Sequence, residues 1–331
     1  MRALSRSLAA LVVLCATLTS AAAQEDVKIG IGYGLAFLPL YICEDLKLVE
    51  KHAKAAHLDV KASFHRLMGP EEIRDAVASG AIDMGPFGTV PLLAAWQAGK
   101  GKPSQILAVS GITSLPLVLL GNRPNERSVA DLDPADRIAV PTLTSPQMYL
   151  LELQSEKVFG QYDRLRRQVV AMSHADAIAG LVAGSGGLAA YFSSPPFTQI
   201  ALRDAKVHPL LTSSQVMDGK FSFLIMGATK SYIDARPLVP EVIDKAIDEA
   251  AHLIHDDPRR AAQIYLTHEP SGTINGAAME AVVSDIRDEF GSTVFGVKRI
   301  ADFMGRHGEL ATVPASWKEI VAPALLNSPS T

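Results

Sequence analysis

Lys28-Ile29-Gly30-Ile31-Gly32-Tyr33, followed by a turn and Pro39, and Arg137-Ile138-Ala139-Val140, followed by a turn and Pro146, open two copies of one script. Each is a short apolar strand, a turn, and a proline placed where it can open a helix. Working outward, each opening leads to a second strand, a second helix and a third strand. The second helices close alike, on Ala76-Val77-Ala78-Ser79-Gly80 and on Leu181-Val182-Ala183-Gly184-Ser185-Gly186. The strands after them run into the corners Pro86-Phe87-Gly88 and Pro195-Pro196-Phe197. Strands alternating with helices predict an α/β fold of parallel-rich sheets flanked by helices, and two such units predict two similar lobes with a cleft between them.

The last third of the chain reads differently. Residues 221–226 form an apolar strand pattern, and residues 240–255 place Val242, Ile243, Ala246, Ile247, Ala250 and Leu253 at helical spacing. Pro258 opens another helix, and further helical patterns cover residues 276–290 and 297–307. The economical arrangement has two hinge crossings, near residues 111–116 and 216–222. It divides the chain into a first part of lobe 1 (24–113), lobe 2 (114–218), and a return strand with C-terminal helices laid on lobe 1 (219–331). Residues 327–331 are a polar tail.

At the amino terminus, Arg2 and Arg6 precede the apolar run 8–18, and Ala21-Ala22-Ala23 offers small residues where a signal peptidase reads. Residues 1–23 are therefore expected to be a cleavable signal peptide, which makes the mature protein periplasmic. A membrane span needs about 20 apolar residues, more than this run has. Leu14 before Cys15 is too large for a lipoprotein cleavage site. Without Arg2 and Arg6 the basic residues fall from 31 to 29 against 35 acidic ones, a charge of −6 that argues against nucleic acid and anionic membranes as partners. Cys43 is then the only cysteine, so no internal disulfide is expected, and its place on the apolar side of the helix after Pro39 predicts a buried small hydrophobe.

In open α/β sheets ligands bind beyond the carboxyl ends of the strands, beside helix N-termini whose free N–H groups favour anions. The loops at those positions carry Tyr33, Phe37, Arg66, Phe87, Gly88 and Thr89 in the first copy, and Thr144, Ser145, His174, Ser193, Ser194 and Phe197 in the second. Thr113 and Ser114 stand at the first crossing. Hydroxyls abound in these loops and carboxylates are nearly absent, and a buried cation without a carboxylate costs several kcal/mol. A neutral or anionic ligand is expected. Arg66 is the strong cation among them and could fork onto a sulfonate or carboxylate, or stay solvated. His174 holds the matching place in lobe 2. Ser145 before Pro146 reads equally well as a helix N-cap, which would leave Thr144 the better placed of the two. The aromatic residues sit on turns rather than strand interiors, which favours a partly aromatic pocket over pure core.

Enzyme signatures are missing. Leu35 stands where a dinucleotide fingerprint after Gly30-Ile31-Gly32 needs its third glycine, and neither a phosphate-binding Lys-Ser/Thr loop nor a Gly-x-Ser-x-Gly elbow occurs. His252 and His255 lie three apart in the last turn of a helix, where histidine suits the dipole without any metal. No catalytic residue, cofactor or metal is expected.

Several segments resemble the periplasmic solute-binding proteins of ABC importers, in the nitrate, sulfonate, taurine and thiamine-precursor group. They are Ile29-Gly30-Ile31-Gly32-Tyr33 with Phe37-Leu38-Pro39-Leu40-Tyr41, then Ala78-Ser79-Gly80-Ala81-Ile82-Asp83-Met84-Gly85, the corner before Phe197, and Ala301-Asp302-Phe303-Met304 with Ser316-Trp317-Lys318. Leu188-Ala189-Ala190 stands where that group often has an acidic residue. The resemblance implies a type II two-lobed binding fold and a non-enzymatic monomer. Such a protein hands a small-molecule ligand, an organic anion of sulfonate or carboxylate type, to the importer's membrane subunits. A neutral aromatic or heterocyclic ligand of the thiamine-precursor type is the alternative. Two other classes stay open: a ligand-sensing receptor subunit, and a pyrimidine-synthase-like enzyme, although the cysteine-rich motif of the latter is absent.

Overall fold

The computed structural model describes residues 24–270 and 274–326. The expected signal peptide and polar tail lie outside them. From the amino end run β1 (Glu25–Ile31), α1 (Leu38–Leu46), α2 (Leu48–Ala55), β2 (Val60–Arg66), α3 (Pro70–Ser79), β3 (Met84–Phe87), α4 (Thr89–Ala98) and β4 (Ile106–Thr113). Then come β5 (Val118–Gly121), β6 (Arg137–Val140), α5 (Pro146–Phe159), β7 (Val169–Ala171), α6 (His174–Ala183), β8 (Leu188–Ser193), α7 (Phe197–Ala201), β9 (His208–Thr212) and α8 (Ser213–Met217). The return consists of β10 (Leu224–Thr229), α9 (Lys230–Ala235), α10 (Val239–Asp256), α11 (Pro258–His268), α12 (Gly276–Ile286) and α13 (Val297–Arg306).

The strands form two five-stranded sheets of matching design, ordered β2-β1-β3-β10-β4 and β7-β6-β8-β5-β9. In each, three strands run parallel, and the strand next to them, β10 or β5, is antiparallel. The expected α/β architecture of two lobes is borne out. The inner parallel strands β3 and β8 are buried throughout, as strands covered on both faces by helices should be, while β2 and β7 at the sheet edges are only partly covered.

The chain passes between the sheets twice, through residues 114–117 and 218–223. The two passes lie side by side, because Phe223 N–H donates to the Thr113 carbonyl at 2.8 Å and Ser213 N–H to that of Leu117 at 2.8 Å. Gly111 is where the return segment presses closest: a Cβ there would lie 2.3 Å from the Thr293 carbonyl oxygen, so only glycine fits.

The helix expected at 240–255 is α10, and it buries Val242, Ile243, Ala246, Ile247 and Ala250 against β4, α1 and α2. Ile254 rather than Leu253 completes that face. The strand expected at 221–226 begins only at Leu224, since Phe221 and Phe223 belong to the crossing. Cys43 is buried and directs its thiol at the Ala246 carbonyl, 3.4 Å away. Burial pushes that thiol's pKa far up, which keeps it inert.

Candidate functional site

Parallel strands place their carboxyl ends, and the helix N-termini that follow them, on one side of each sheet. Those two sides face each other across a cleft of about 990 Å³. From lobe 2, α5, α6 and α7 point their first turns into it; from lobe 1, α3, α4 and the turn Leu35–Phe37 do the same.

The lobe 2 wall consists of turn residues. Thr144 and Ser145 both line it, and Pro146 then opens α5. Ser145 occupies the N-cap position with extended backbone (φ −72°, ψ 155°), yet its side chain makes no capping bond. Its hydroxyl oxygen is buried and without a hydrogen-bond partner among the described residues. Pro146 lacks an N–H, and the Met148 and Tyr149 amides donate to the Ser145 carbonyl, so Gln147 is the residue of the first turn left to present donors beside that hydroxyl. His174 begins α6 and stacks on Phe197, with ring centroids 4.2 Å apart and planes within 10°. Its Nδ1 is hydrogen-bonded to the Tyr191 hydroxyl, and burial lowers its pKa, so the ring is a neutral aromatic surface near pH 7. Ser194 lines the cleft too.

The lobe 1 wall is more apolar. Tyr33, Phe37 and Gly88 line it as expected of their turns, joined by Leu67, Val90 and Pro91. Phe223 comes from the return crossing, and Tyr265, Glu269, Ile274 and Met279 come from α11, α12 and the segment between them. One oxygen of Glu269 accepts the Gly34 N–H and the Tyr41 hydroxyl. Gly34 has φ 108°, open to glycine and strained for other residues, and this conformation turns its amide toward the carboxylate. Burial and Glu269 together push the Tyr41 pKa far up, so its hydroxyl remains a donor.

Six expected residues lie elsewhere. Arg66 does not line the cleft: its guanidinium lies 4.7 Å over the Tyr41 ring, bonds to His268 and sits 3.6 Å from Glu44. Phe87 is core, 2 % exposed, with its ring against Gly227 of β10. Thr89 is fully buried and donates to the Ser222 carbonyl at 2.6 Å. Thr113 and Ser114 bond to Glu289, Thr113 to its carbonyl at 3.0 Å and Ser114 to its carboxylate at 3.0 Å. Ser193 donates to Val118 at 2.9 Å and meets Thr198 at 2.8 Å, tying β8 to β5 and α7. In each case the side chain is engaged in the scaffold rather than in the cleft lining, although Arg66 keeps one buried guanidinium nitrogen, Nη1, without a partner among the described residues.

The expectation of a cleft almost free of carboxylates also needs correction. Glu71 and Glu269 both line it, as does Arg74. Glu71 and Arg74 are both exposed on α3, and Arg74 is paired with Asp75, 2.8 Å away. Glu269 comes from the end of α11, and no local signal marked that helix as part of the cleft. Among the described residues no group of three or more His, Cys, Asp or Glu side chains could hold a metal, and no helix is long and apolar enough to cross a membrane.

No protein-family model matches the sequence, and comparison with curated proteins gives no match. Solved structures do match over nearly the whole chain. The periplasmic aliphatic sulphonate-binding protein SsuA from Escherichia coli superposes with a TM-score of 0.69 at 16% identity, covering 90% of this chain and 97% of that one. The fold is that of periplasmic solute-binding proteins. Alkanesulfonate-binding SsuA from Xanthomonas axonopodis pv. citri, bound to MOPS, gives 0.65 at 19% identity with 90% and 97% coverage. The periplasmic nitrate-binding protein NrtA from Synechocystis PCC 6803 gives 0.52 at 15%, covering 76% of this chain and 68% of that one. At these identities the likeness to binding proteins is one of fold.

Proposed function

We propose that the protein is the extracytoplasmic solute-binding subunit of an ABC importer, working without catalysis as a monomer that delivers its ligand to the importer's membrane subunits. The cargo in this reading is a small organic acid, a sulfonate or carboxylate, with an apolar body. The carrying observation is the Ser145 hydroxyl: buried, unpartnered, at the mouth of α5 and facing a cleft of about 990 Å³. A buried unsatisfied hydroxyl is costly, and an acceptor on a ligand would satisfy it while Gln147, in the first turn of α5, supplies further donors. The apolar body would lie among Phe37, Phe223 and the stacked His174–Phe197 pair. That stack also favours a second reading, a neutral aromatic or heterocyclic ligand.

A thermal-shift screen of the chain from residue 24, using alkane- and arenesulfonates, carboxylates and neutral heterocycles, tests both readings. A ligand that binds only the folded state raises its stability by about 2.7 kcal/mol at a hundredfold excess over Kd. Stabilisation by acids alone supports the first reading, and by heterocycles alone the second. No shift with any class would overturn the solute-binding assignment. A ligand that stabilises should also draw the lobes together, read as a smaller radius of gyration in solution scattering.

A further inference from the structure

The cleft holds one feature that an organic acid alone does not use. Glu269 is half-buried in the lobe 1 wall, across the cleft from the hydroxyls of α5. Both short hydrogen bonds it accepts, from Gly34 and Tyr41, go to Oε1. For Oε2 the described residues offer only the Tyr265 hydroxyl, at a long 3.5 Å. Among the described residues no Lys, Arg or His forms an ion pair with Glu269. A carboxylate accepts about four hydrogen bonds, so Oε2 keeps acceptor capacity that a donor on a bound solute can use.

The surroundings keep Glu269 in place as an acceptor. Tyr41 is stacked on His268 with centroids 4.6 Å apart and planes within 4°, and the Arg66 guanidinium lies over the Tyr41 and Tyr33 rings. Arg66 directs its Nη2 at His268 and Glu44 and is absent from the cleft lining, so the one strong cation nearby is held behind the wall rather than in the cleft. The other cleft carboxylate, Glu71, is exposed beside Arg74 and lacks such support.

We infer that Glu269 is a specificity-determining residue that reads a nitrogen donor, an ammonium or an N–H, on the end of the solute opposite its acid group. The inference rests on the solute-binding reading above and narrows its cargo from organic acids to organic acids that also carry a donor nitrogen. A charge-assisted hydrogen bond across the cleft would then link lobe 1 to a ligand whose acid group rests on lobe 2.

Matched pairs test this by calorimetry on the chain from residue 24: homotaurine against propanesulfonate, and para-(aminomethyl)benzoate against para-methylbenzoate. The amine-bearing member of the better-binding pair should bind roughly 10- to 150-fold tighter, the range of a hydrogen bond to a charged group. Glu269→Gln, which keeps the side chain's shape, should collapse that preference to near unity, whereas Glu71→Gln should leave it standing. Equal or weaker binding of the amine-bearing members by the unaltered protein overturns the inference while leaving the organic-acid reading intact, and needs no variant to fold. Loss of the preference in Glu71→Gln, or its survival in a folded Glu269→Gln, removes the role from Glu269. Binding by no member of either pair counts against the organic-acid reading itself.

Discussion

The two walls of the cleft come from the same strand-helix script, yet lobe 2 keeps more of its expected turn residues in the cleft than lobe 1 does. In lobe 2, Thr144, Ser145, His174, Ser194 and Phe197 all reach the cleft. In lobe 1, Arg66, Phe87 and Thr89, at comparable turns, are absorbed into the scaffold. The difference follows from what lies on top. The return segment covers lobe 1: Ser222 takes the Thr89 hydroxyl, β10 takes the Phe87 ring, and α11 supplies His268 for Arg66. It then offers residues of its own to the cleft, Phe223, Tyr265 and Glu269. On lobe 2 the return segment claims other side chains, Glu309 taking the Tyr149 hydroxyl and Arg306 and His307 taking Glu156, and it takes none of these five turn residues. A turn residue is a binding candidate only while nothing later in the chain claims its side chain.

The contrast is sharpest at the two phenylalanines of the matching corners. Phe87→Ala empties a core position and should destabilise the protein by about 3 to 5 kcal/mol. Phe197→Ala removes a half-buried ring from the cleft wall and should leave the melting temperature much closer to that of the unaltered protein, while weakening any ligand found by the screen. Equal melting losses in the two variants would erase the distinction between the walls.

The hydroxyls give a smaller version of the same test. Thr89→Val leaves the Ser222 carbonyl without its donor and should cost about 1 to 3 kcal/mol of stability. Ser145→Ala removes a hydroxyl that no group among the described residues uses, so stability should hold while ligand affinity falls by about 0.5 to 3 kcal/mol. Chemical denaturation beside calorimetry separates the two, and a Thr89→Val protein of full stability would mean that the bond to Ser222 contributes little.

The smallest effect is a pH dependence. Asp244, on α10, is pushed by burial from 3.8 up to about 6, while the hydrogen bond from Ser110 pulls it down. In lobe 2, burial likewise carries Glu152 from 4.5 up to about 7 against the pull of Arg166. A carboxyl whose folded pKa lies above its unfolded one binds its proton more tightly when folded. Its contribution is complete below about pH 4 and is lost as pH rises through 6 for Asp244 and 7 for Glu152. Asp244→Asn should therefore flatten the fall in melting temperature between pH 4 and pH 7, by an amount on the order of 1 kcal/mol. An unchanged slope would show that Asp244 ionises freely in the folded state.

Much of the architecture was legible because it rests on local signals. The alternation of short apolar strands with helices, Pro146 at the start of α5, and the spacing along α10 all survive in the fold. The site was legible only where side chains answer to their own turn. Nothing in residues 264–270 marks Glu269 as part of the cleft, because its place there comes from the packing of α11 against α1 and α12, contacts that span long stretches of sequence. The late start of β10 has the same origin: Phe223 is apolar enough for a strand interior but faces the cleft instead.

The position of β10 between β3 and β4 has a consequence for how the chain folds. With residues up to β4 in place, the first sheet has a vacant slot, because β3 and β4 bond to β10 and not to each other. Every strand of the second sheet, by contrast, lies within residues 118–212, one uninterrupted stretch. Lobe 2 can therefore complete its sheet while lobe 1 still waits for residues 224–229, and such long-range strand insertion is intrinsically slow. The lobe that begins first finishes last.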